Sequence, residues 1–285
     1  ASTLLDRVVI QDAAQGIVMD PQSALTMRDS TIVAPISGQG HISVTAGTPS
    51  ASKFSPWERL PAPAPAVAGT IAAAGGAIYA LPSATPPFAL YRYDVLTNSW
   101  LQRASMPDGR RTKLSYSAVG GSDGALYVAS VGVDAACTQT FCPARPAFYR
   151  YQPATDTWQA LSGALFPSPN DGIAVPPALT SDGADALYAV SPIDSGLYRY
   201  DIASGAATKL TTLPDYLNLF HGSSIAWANG VIYIRTAFEE QSWYAYNLAT
   251  SAFQKLADAP LPMGDSPPAW DGAGTIYARA IATSG

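Results

Sequence analysis

The chain has 285 residues, of which only 13% are charged, while 23 are glycine, 24 are proline and 15 are tyrosine. This composition favours many short strands joined by tight turns over amphipathic helices, whose outer faces need Lys and Glu. The formal net charge of −5 and the lack of a Lys/Arg run exclude a nucleic-acid footprint, and no window has the length and apolarity of a membrane span.

The first 40 residues predict short strands in "RVVIQDA", "GIVMD" and "STIVAPIS", separated by turns at "AAQG" and "DPQS". They stand outside the repeat described below, and we interpret them as an N-terminal arm. The arm either wraps back on the rest of the chain or anchors the protein to a partner subunit; the second is our hypothesis. The start at Ala1 is compatible with a removed signal peptide or with none.

From residue 68 onwards one phrase recurs: a glycine-bearing turn, then Ile or Leu, then Tyr. Its five copies end at Tyr79, Tyr127, Tyr188, Tyr233 and Tyr277, with spacings of 48, 61, 45 and 44 residues. Because Gly-Gly, Asp-Gly and Asn-Gly readily adopt positive φ, each copy predicts a hairpin turn that enters a strand.

A second phrase follows each of the first four copies: "YRYDVLTNSW", "YRYQPATDTW", "YRYDIASGAA" and "YAYNLATSAF". It predicts a Tyr-x-Tyr strand, a short polar turn and a last strand marked by Trp100, Trp158, Ala207 or Phe253. Four antiparallel strands in about 45 residues make one sheet that cannot bury both faces alone, so several sheets must pack around an axis.

The order of glycine turn, Ile/Leu-Tyr, loop, Tyr-Asp-x-x-Thr-x-x-Trp and Leu-Pro resembles the kelch repeat of β-propellers. The fullest copy carries Tyr93, Asp94, Trp100, Met106 and Arg110 in the expected order. The resemblance covers residues 50 to 285 and implies an all-β propeller of four-stranded blades. It also implies that the second tyrosine of each Tyr-x-Tyr (Tyr93, Tyr151, Tyr200, Tyr246) packs between blades.

The C-terminal unit supplies only two strands of a fifth blade before residue 285. We expect residues 54–63, with Trp57 and Leu60 at fourth-strand spacing, and residues 41–47 to complete it and close the ring. The sequence therefore predicts five blades within residues 41–285 and an arm over residues 1–40. Six blades is the alternative, if the arm supplies a blade of its own.

The two cysteines, Cys137 and Cys142, lie in the loop segment "CTQTFC". The spacing favours a small disulfide that pins a loop in an oxidising medium, with two free thiols as the alternative. A metal site is not expected, because zinc needs four ligands and no other Cys or His is near.

Motifs for catalysis are sparse. With only His41 and His221 in different units, the chain does not fit a copper oxidase, and no copy has a full sialidase Asp-box. No GxSxG, phosphate-loop or HExxH motif occurs. We therefore expect no catalytic residue, no metal and no cofactor.

The remaining candidates lie on loops at one propeller face, between strands four and one or two and three. Aromatic and arginine residues on such loops are typical of interfaces. The candidate binding residues are Arg110, Arg111, Asp171, Tyr216, His221, Phe238, Glu239 and Trp243. The long loop at residues 131–146, which holds both cysteines, ranks first among the loops.

The sequence thus predicts a non-catalytic binding or structural propeller, a component of an extracellular, virion or cell-surface assembly. The arm would contact other subunits, and the loop face would contact a receptor or glycan. The alternative is a secreted carbohydrate-binding protein, and a propeller glycosidase or oxidase is the third reading.

Overall fold

The computed structural model is all-β in the residues that it describes. Side chains are described for residues 70–81, 88–94, 97–107, 115–132, 136–137, 146–161, 176–192, 194–214, 224–235, 241–259, 267–270 and 275–278, and strands outside these ranges are described by their backbone. Among the described residues, no helix has the length and apolarity to span a membrane.

The chain divides into two compact units, Ala1–Leu60 and Pro61–Gly285. The strands of the first unit are β1 (Ser2–Asp6), β2 (Val9–Gln11), β3 (Ile17–Met19), β4 (Ala24–Arg28), β5 (Thr31–Val33), β6 (Ile36–Gly38) and β7 (His41–Val44). Strands β1 to β4 each pair in parallel with the strand three places later, which gives the sheets β1-β4-β7, β2-β5 and β3-β6. Coils that stack strand on equivalent strand have the topology of a β-solenoid.

The strands expected in the first 40 residues are present as β2, β3, β5 and β6. The predicted role of residues 41–47 is wrong, since β7 pairs in parallel with β4 and joins no blade. The register places Ile42 and Val44 opposite Leu25 and Met27, so that apolar positions match across the pair. This unit therefore continues past residue 40, and the predicted strand at residues 54–63 lies outside the described residues.

The second unit is a β-propeller. Its strands are β8 (Gly69–Ala74), β9 (Ala77–Pro82), β10 (Leu90–Asp94), β11 (Ser99–Arg103), β12 (Arg111–Gly120), β13 (Leu126–Asp134), β14 (Ala144–Gln152), β15 (Thr157–Ala160), β16 (Ala178–Ser181), β17 (Ala186–Val190), β18 (Gly196–Asp201), β19 (Ala207–Thr212), β20 (Ser224–Ala228), β21 (Val231–Arg235), β22 (Trp243–Asn247), β23 (Ala252–Lys255), β24 (Ala269–Trp270) and β25 (Ile276–Tyr277). Strands β8–β11, β12–β15, β16–β19 and β20–β23 form four antiparallel sheets, here called blades 1 to 4.

The first strands of successive sheets lie side by side, in the order β8, β12, β16, β20 and β24, and so form the inner layer of the propeller. The propeller class is confirmed, but the prediction of five blades is wrong: the described residues form four four-stranded blades. The last repeat unit gives only the two-stranded sheet β24–β25. The third strand expected at residues 41–47 is instead β7, which pairs with β4 of the first unit.

The glycine turns have the backbone that their sequence predicts. Gly75 and Gly76 have φ of 53° and 73°, and Asn229 and Gly230 have φ of 50° and 79°. Two consecutive positive φ values define the type I′ hairpin, whose twist matches that of the flanking strands.

A second positive-φ position recurs in the turn between the third and fourth strands. It falls five residues after the last tyrosine of each Tyr-x-Tyr and is occupied by Asn98, Asp156, Gly205 and Ser251, with φ of 49°, 54°, 70° and 54°. Asn, Asp and Gly tolerate this left-handed region best, so three of the four blades carry a residue suited to it.

Tyr151, Tyr200 and Tyr246 pack between blades, as the resemblance implies, whereas the ring of Tyr93 contacts Trp100 of its own blade, with centroids 5.3 Å apart. Tyr151 of blade 2 meets Tyr79 of blade 1 edge to face, with ring centroids 5.8 Å apart, and Tyr200 of blade 3 meets Tyr127 of blade 2 at 6.0 Å. These four rings are buried. Tyr246 joins Tyr188 in the cluster between blades 3 and 4. Edge-to-face pairs and neighbouring apolar side chains form one apolar core at each of the three interfaces between blades 1 to 4.

Hydroxyl groups join the innermost strands. Thr70 Oγ1 donates to the Tyr116 carbonyl at 2.9 Å between blades 1 and 2. Ser117 Oγ accepts the Leu179 N–H at 3.1 Å, and Thr180 Oγ1 accepts the Trp227 N–H at 3.0 Å. These bonds satisfy backbone groups at the inner edge of each sheet, where no further strand of the same blade is available.

Candidate functional site

Of the eight predicted binding residues, the structure describes Arg111 and Trp243. Arg110, Asp171, Tyr216, His221, Phe238 and Glu239 lie outside the described residues, and so does Cys142. Arg111 is the first residue of β12, described by its backbone, and Trp243 is the first residue of β22. The bridge between Cys137 and Cys142 and the convergence of the loop residues therefore stay predictions.

The best-defined part of the loop face is the end of blade 4. Here β20 begins, β21 ends and β22 begins, so that Ser224, Arg235 and Trp243 stand opposite one another in the register. Opposite residues in antiparallel strands carry their side chains on the same face. The three residues therefore form a row at the mouth of the 236–242 loop, which holds the predicted residues Phe238 and Glu239.

Arg235 is the centre of this row. Its side chain is 1% exposed, and its Nε–H donates to Ser224 Oγ at 2.8 Å. A buried guanidinium must be compensated by acceptors or negative charge, which makes this position chemically distinct from an ordinary core site. Trp243 is partly exposed and provides an aromatic surface beside it.

Sequence reasoning missed Arg235, although the repeat contains the signal. The equivalent residue, three after the Ile or Leu of the glycine-turn phrase, is Leu81, Ala129 or Val190 in blades 1 to 3. A charged residue at a position that is apolar in the other blades marks a departure from the structural pattern.

A second polar cluster lies on the loop face of blade 3, in the turn between β17 and β18. Asp194 accepts hydrogen bonds from the Tyr198 hydroxyl at 2.6 Å and from Lys209 Nζ at 2.7 Å. Burial alone would raise the pKa of Asp194, but the Lys209 and Tyr198 bonds outweigh it and hold the pKa below its ordinary value. Gly196 is required here, because a Cβ would lie 2.4 Å from the Tyr198 ring.

Two further carboxylates are held by the framework of the blades. Asp123 accepts the Arg150 Nη2–H at 2.7 Å and the Tyr127 hydroxyl at 3.0 Å. Burial alone would raise the pKa of Asp123, but the Arg150 and Tyr127 bonds lower it, whereas burial and Asp123 raise the pKa of Tyr127. The carboxylate is therefore ionised at neutral pH and fixes the turn before β13.

Asp156 links blade 2 to blade 1. It accepts the Ala104 backbone N–H at 2.9 Å and the Tyr151 hydroxyl at 2.7 Å, and these two bonds lower its pKa. Burial raises the pKa of Tyr151 to about 12, against the opposing hydrogen bond from Arg103 Nε at 3.3 Å. The Trp158 indole N–H donates to the Ala104 carbonyl at 2.8 Å, which adds a further hydrogen bond between blades 1 and 2.

These clusters define the chemistry available in the described part of the chain. A general acid at neutral pH needs a carboxyl with a raised pKa, and Asp123, Asp156 and Asp194 are shifted the other way. Among the same residues, no group of three or more His, Cys, Asp or Glu side chains has the arrangement to hold a metal ion.

The arrangement of sheets makes the second unit a member of the β-propeller class. No family model matches the chain, and no curated protein matches it. A solved structure of YjhT is similar in fold, with 16% identity, a TM-score of 0.51 and coverage of 72% of this chain and 70% of that chain. A fungal alcohol oxidase in complex with copper is 15% identical, with a TM-score of 0.47, and the match covers 70% of this chain and 43% of the oxidase. At these identities the likeness to YjhT shows the fold alone, and the kelch-type resemblance stays a prediction.

Proposed function

We propose that the protein is a non-catalytic binding and structural component of a larger assembly, exposed at a virion or cell surface. The first unit attaches it to other subunits, and the loop face of the propeller, with its kelch-like repeat, contacts a receptor or another protein. The observation that supports a structural role is that Asp123, Asp156 and Asp194 are engaged in hydrogen bonds that hold turns and link blades.

The topology of the first unit supports the attachment role. Its three parallel sheets contain three, two and two strands in the described residues, and two-stranded sheets are marginal in water. Parallel sheets occur almost only where both faces are covered. A solenoid of so few coils gains stability when further coils or a partner extend it.

Site-specific photo-crosslinking tests the proposal. A photoreactive residue replaces Ile42 in β7 of the full chain, and the matched control carries it at Leu101, which is 42% exposed on the outer strand of blade 1. In cells that produce the protein, we expect one adduct of defined mass and stoichiometry from position 42 and none from position 101. Equal yields from both positions would contradict the proposal.

An activity screen tests the alternative that the protein is an enzyme. The full chain is incubated with aryl glycosides and with primary alcohols, and product release is compared with Asp171→Asn and Glu239→Gln variants. We expect no turnover above buffer. Turnover that disappears in either variant would establish an enzyme and overturn the proposal.

Carbohydrate binding is the second candidate, and the partial exposure of Trp243 at the loop face favours it. Tryptophan offers a large rigid surface with a polar edge, which suits recognition surfaces. On a glycan array we expect this alternative to give saturable binding that falls at least tenfold in Trp243→Ala. Binding that persists unchanged in the variant would remove Trp243 from the site.

The loop at residues 131–146 belongs to the same proposed surface, with Cys137 and Cys142 joined in an oxidising medium. Alkylation with and without prior reduction, followed by mass measurement, distinguishes a bridge from two thiols. Replacement of both cysteines by serine should weaken partner binding while the melting temperature of the propeller changes little. Unchanged partner binding would count against this loop.

A further inference from the structure

The third strand of blades 1 to 3 places an arginine opposite the second-strand tyrosine. The pairs are Arg92 with Tyr79, Arg150 with Tyr127 and Arg199 with Tyr188. Because directly opposite residues of an antiparallel pair carry their side chains on one face, each guanidinium lies on the side of the sheet that packs against the next blade. The arginine is therefore a regular part of the first three blades.

In blades 2 and 3, the turn before the second strand supplies the counter-charge of this arginine. Arg150 Nη2 lies 2.7 Å from Asp123, which is four residues before the tyrosine. Arg199 Nη2 lies 3.0 Å from Asp185, which is three residues before the tyrosine. Hydrogen bonds between a guanidinium and a carboxylate are shorter and stronger than neutral ones, so each turn carboxylate fixes the arginine of its own blade.

Blade 1 keeps the arginine but lacks the carboxylate. The residues four and three positions before Tyr79 are Gly75 and Gly76, which have no side chains. Among the described residues, no acidic side chain forms an ion pair with Arg92. Arg92 therefore differs from its two equivalents in having no turn carboxylate beside it.

The other blades show that this combination is exceptional. In blade 4 the turn is Asn229–Gly230 and has no acid, but Ala245 replaces the arginine, so no charge needs a partner. In blade 3 a second carboxylate, Asp201, lies 3.4 Å from the arginine. Asp94 takes the same position in blade 1 but forms no ion pair with Arg92. Blade 1 alone has the arginine without the acid.

The position of the missing side chain is open. A Cβ at Gly76 would have no atom within 4 Å, whereas one at Gly75 would lie 2.9 Å from the Gly124 carbonyl of blade 2. The turns of blade 2 on this side of the propeller, residues 121–125 and 153–156, are both within the described residues. The space at Gly76 is therefore free for a group from solvent.

The charges around this space are unbalanced in favour of a cation. Burial raises the pKa of Tyr79, and the nearby Arg92 and Arg103 oppose this rise. Arg103 is paired with Asp156 at 3.7 Å, which compensates its charge. Arg92 is partly exposed and has no such partner among the described residues, so its guanidinium attracts a negative group.

We propose that Arg92 and the Tyr79 hydroxyl bind an oxyanion from outside the chain, a carboxylate or a phosphate group. The anion takes the place that a turn carboxylate fills in blades 2 and 3. The guanidinium offers parallel N–H donors in a planar fork that matches both groups, and the tyrosine hydroxyl is a further donor. The site lies at the end of the blades that carries the glycine turns, and it is independent of the proposed assembly role.

Titration of the full-length protein with malonate, and separately with inorganic phosphate, tests the site while chloride holds the ionic strength constant. The Nε–Hε NMR signal of Arg92, assigned by its loss in Arg92→Gln, should shift saturably. The Arg150 signal should not shift, because Asp123 already binds its guanidinium. Tighter binding of malonate identifies a carboxylate ligand, and tighter binding of phosphate a phosphate ligand. No saturable shift of the Arg92 signal, or an equal shift of the Arg150 signal, would overturn the proposal.

Two variants of the turn separate charge from shape. Gly76→Asp adds a carboxylate at the offset of Asp185, and Gly76→Asn adds the same shape without the charge. Asp and Asn tolerate the φ of 73° at this position better than other side chains do. In calorimetry, anion binding should fall at least tenfold in Gly76→Asp and in Arg92→Gln, but at most twofold in Gly76→Asn. Equal binding by Gly76→Asp and the wild type would contradict the proposal and leave the crosslinks expected from position 42 unchanged.

Discussion

At the residue scale, the polar side chains of the propeller stabilise turns and blade contacts. In the turn before β13, Asp123 receives hydrogen bonds from the Ala125 N–H, from the Tyr127 hydroxyl in β13 and from Arg150 in β14. The cluster is only partly exposed, with the Asp123 side chain at 24% and Arg150 at 30%. Charged hydrogen bonds in such surroundings contribute more than an exposed ion pair does.

Asp123→Asn should lower the free energy of unfolding by about 1–2 kcal/mol at pH 7, because the charged acceptor of Arg150 is lost. The pKa of Asp123 is lower in the folded state than the ordinary value near ~3.9, so its stabilisation is complete above about pH 4 and is lost as the pH falls through the folded pKa. Urea unfolding at pH 7 and at pH 3 should therefore show the difference between wild type and variant shrinking in acid.

The control for this prediction is Asp258→Asn. Asp258 pairs with Lys255 at 3.2 Å, but both side chains are about half exposed. Such pairs are worth about 0–1 kcal/mol, so this variant should unfold almost as the wild type does at both pH values. A loss as large as that of Asp123→Asn would show that general charge, and not the local cluster, determines stability.

The positive-φ position in the turn between the third and fourth strands of each blade gives a second prediction at the residue scale. Ser251 has φ of 54°, a region that glycine adopts without strain. Ser251→Gly should raise the free energy of unfolding by several tenths of a kcal/mol to about 1 kcal/mol, and Gly205→Ala, at φ of 70°, should lower it by about 1 kcal/mol. Thermal melts of the two variants should shift in opposite directions; shifts of the same sign would contradict the assignment.

At the element scale, the innermost strands depend on side-chain hydroxyls. An inner strand has a neighbour of its own sheet on one side only. The backbone groups on its other edge must therefore form hydrogen bonds with the inner strand of an adjacent blade. The Thr180 hydroxyl accepts a hydrogen bond from the Trp227 N–H in this way, and the Ser117 hydroxyl accepts one from the Leu179 N–H. The sequence shows small residues in these strands but gives no sign of which hydroxyl meets which backbone group.

Thr180→Val tests this contact, since valine keeps the shape and removes the acceptor. We expect a loss of about 1–3 kcal/mol in the free energy of unfolding, because the Trp227 N–H is left without its partner. Faster hydrogen exchange at the Trp227 amide should accompany the loss. Thr211→Val, on the outer strand of the same blade where the hydroxyl makes only a 3.4 Å contact, should change neither quantity.

At the scale of the whole molecule, the blades are held together by aromatic contacts at each interface. Tyr151 is 0% exposed and combines a ring contact to Tyr79 with hydrogen bonds to Asp156 and from Arg103. Its removal affects two blades at once, because each sheet can bury this face only against its neighbour.

Tyr151→Ala should lower the free energy of unfolding by about 3–5 kcal/mol, as for other large-to-small changes of buried aromatic residues. Tyr151→Phe keeps the ring contact and loses the hydroxyl, so the cost should be about 1–2 kcal/mol. Denaturant unfolding followed by tryptophan fluorescence measures both. Equal losses in the two variants would show that the hydrogen bonds, not the ring packing, dominate the interface.

The sequence alone determined the all-β class, the repeat, the hairpin turns at Gly75–Gly76 and Asn229–Gly230, and the burial of the second tyrosine of each Tyr-x-Tyr. All of these follow from local patterns that recur several times in one chain. Only the tertiary structure decided that β7 pairs with β4, that the described residues form four four-stranded blades, and that Arg235 is buried beside Ser224 while Tyr277 is exposed. Those outcomes depend on which strands meet across long sequence distances, and such pairings are set by the packing of whole sheets.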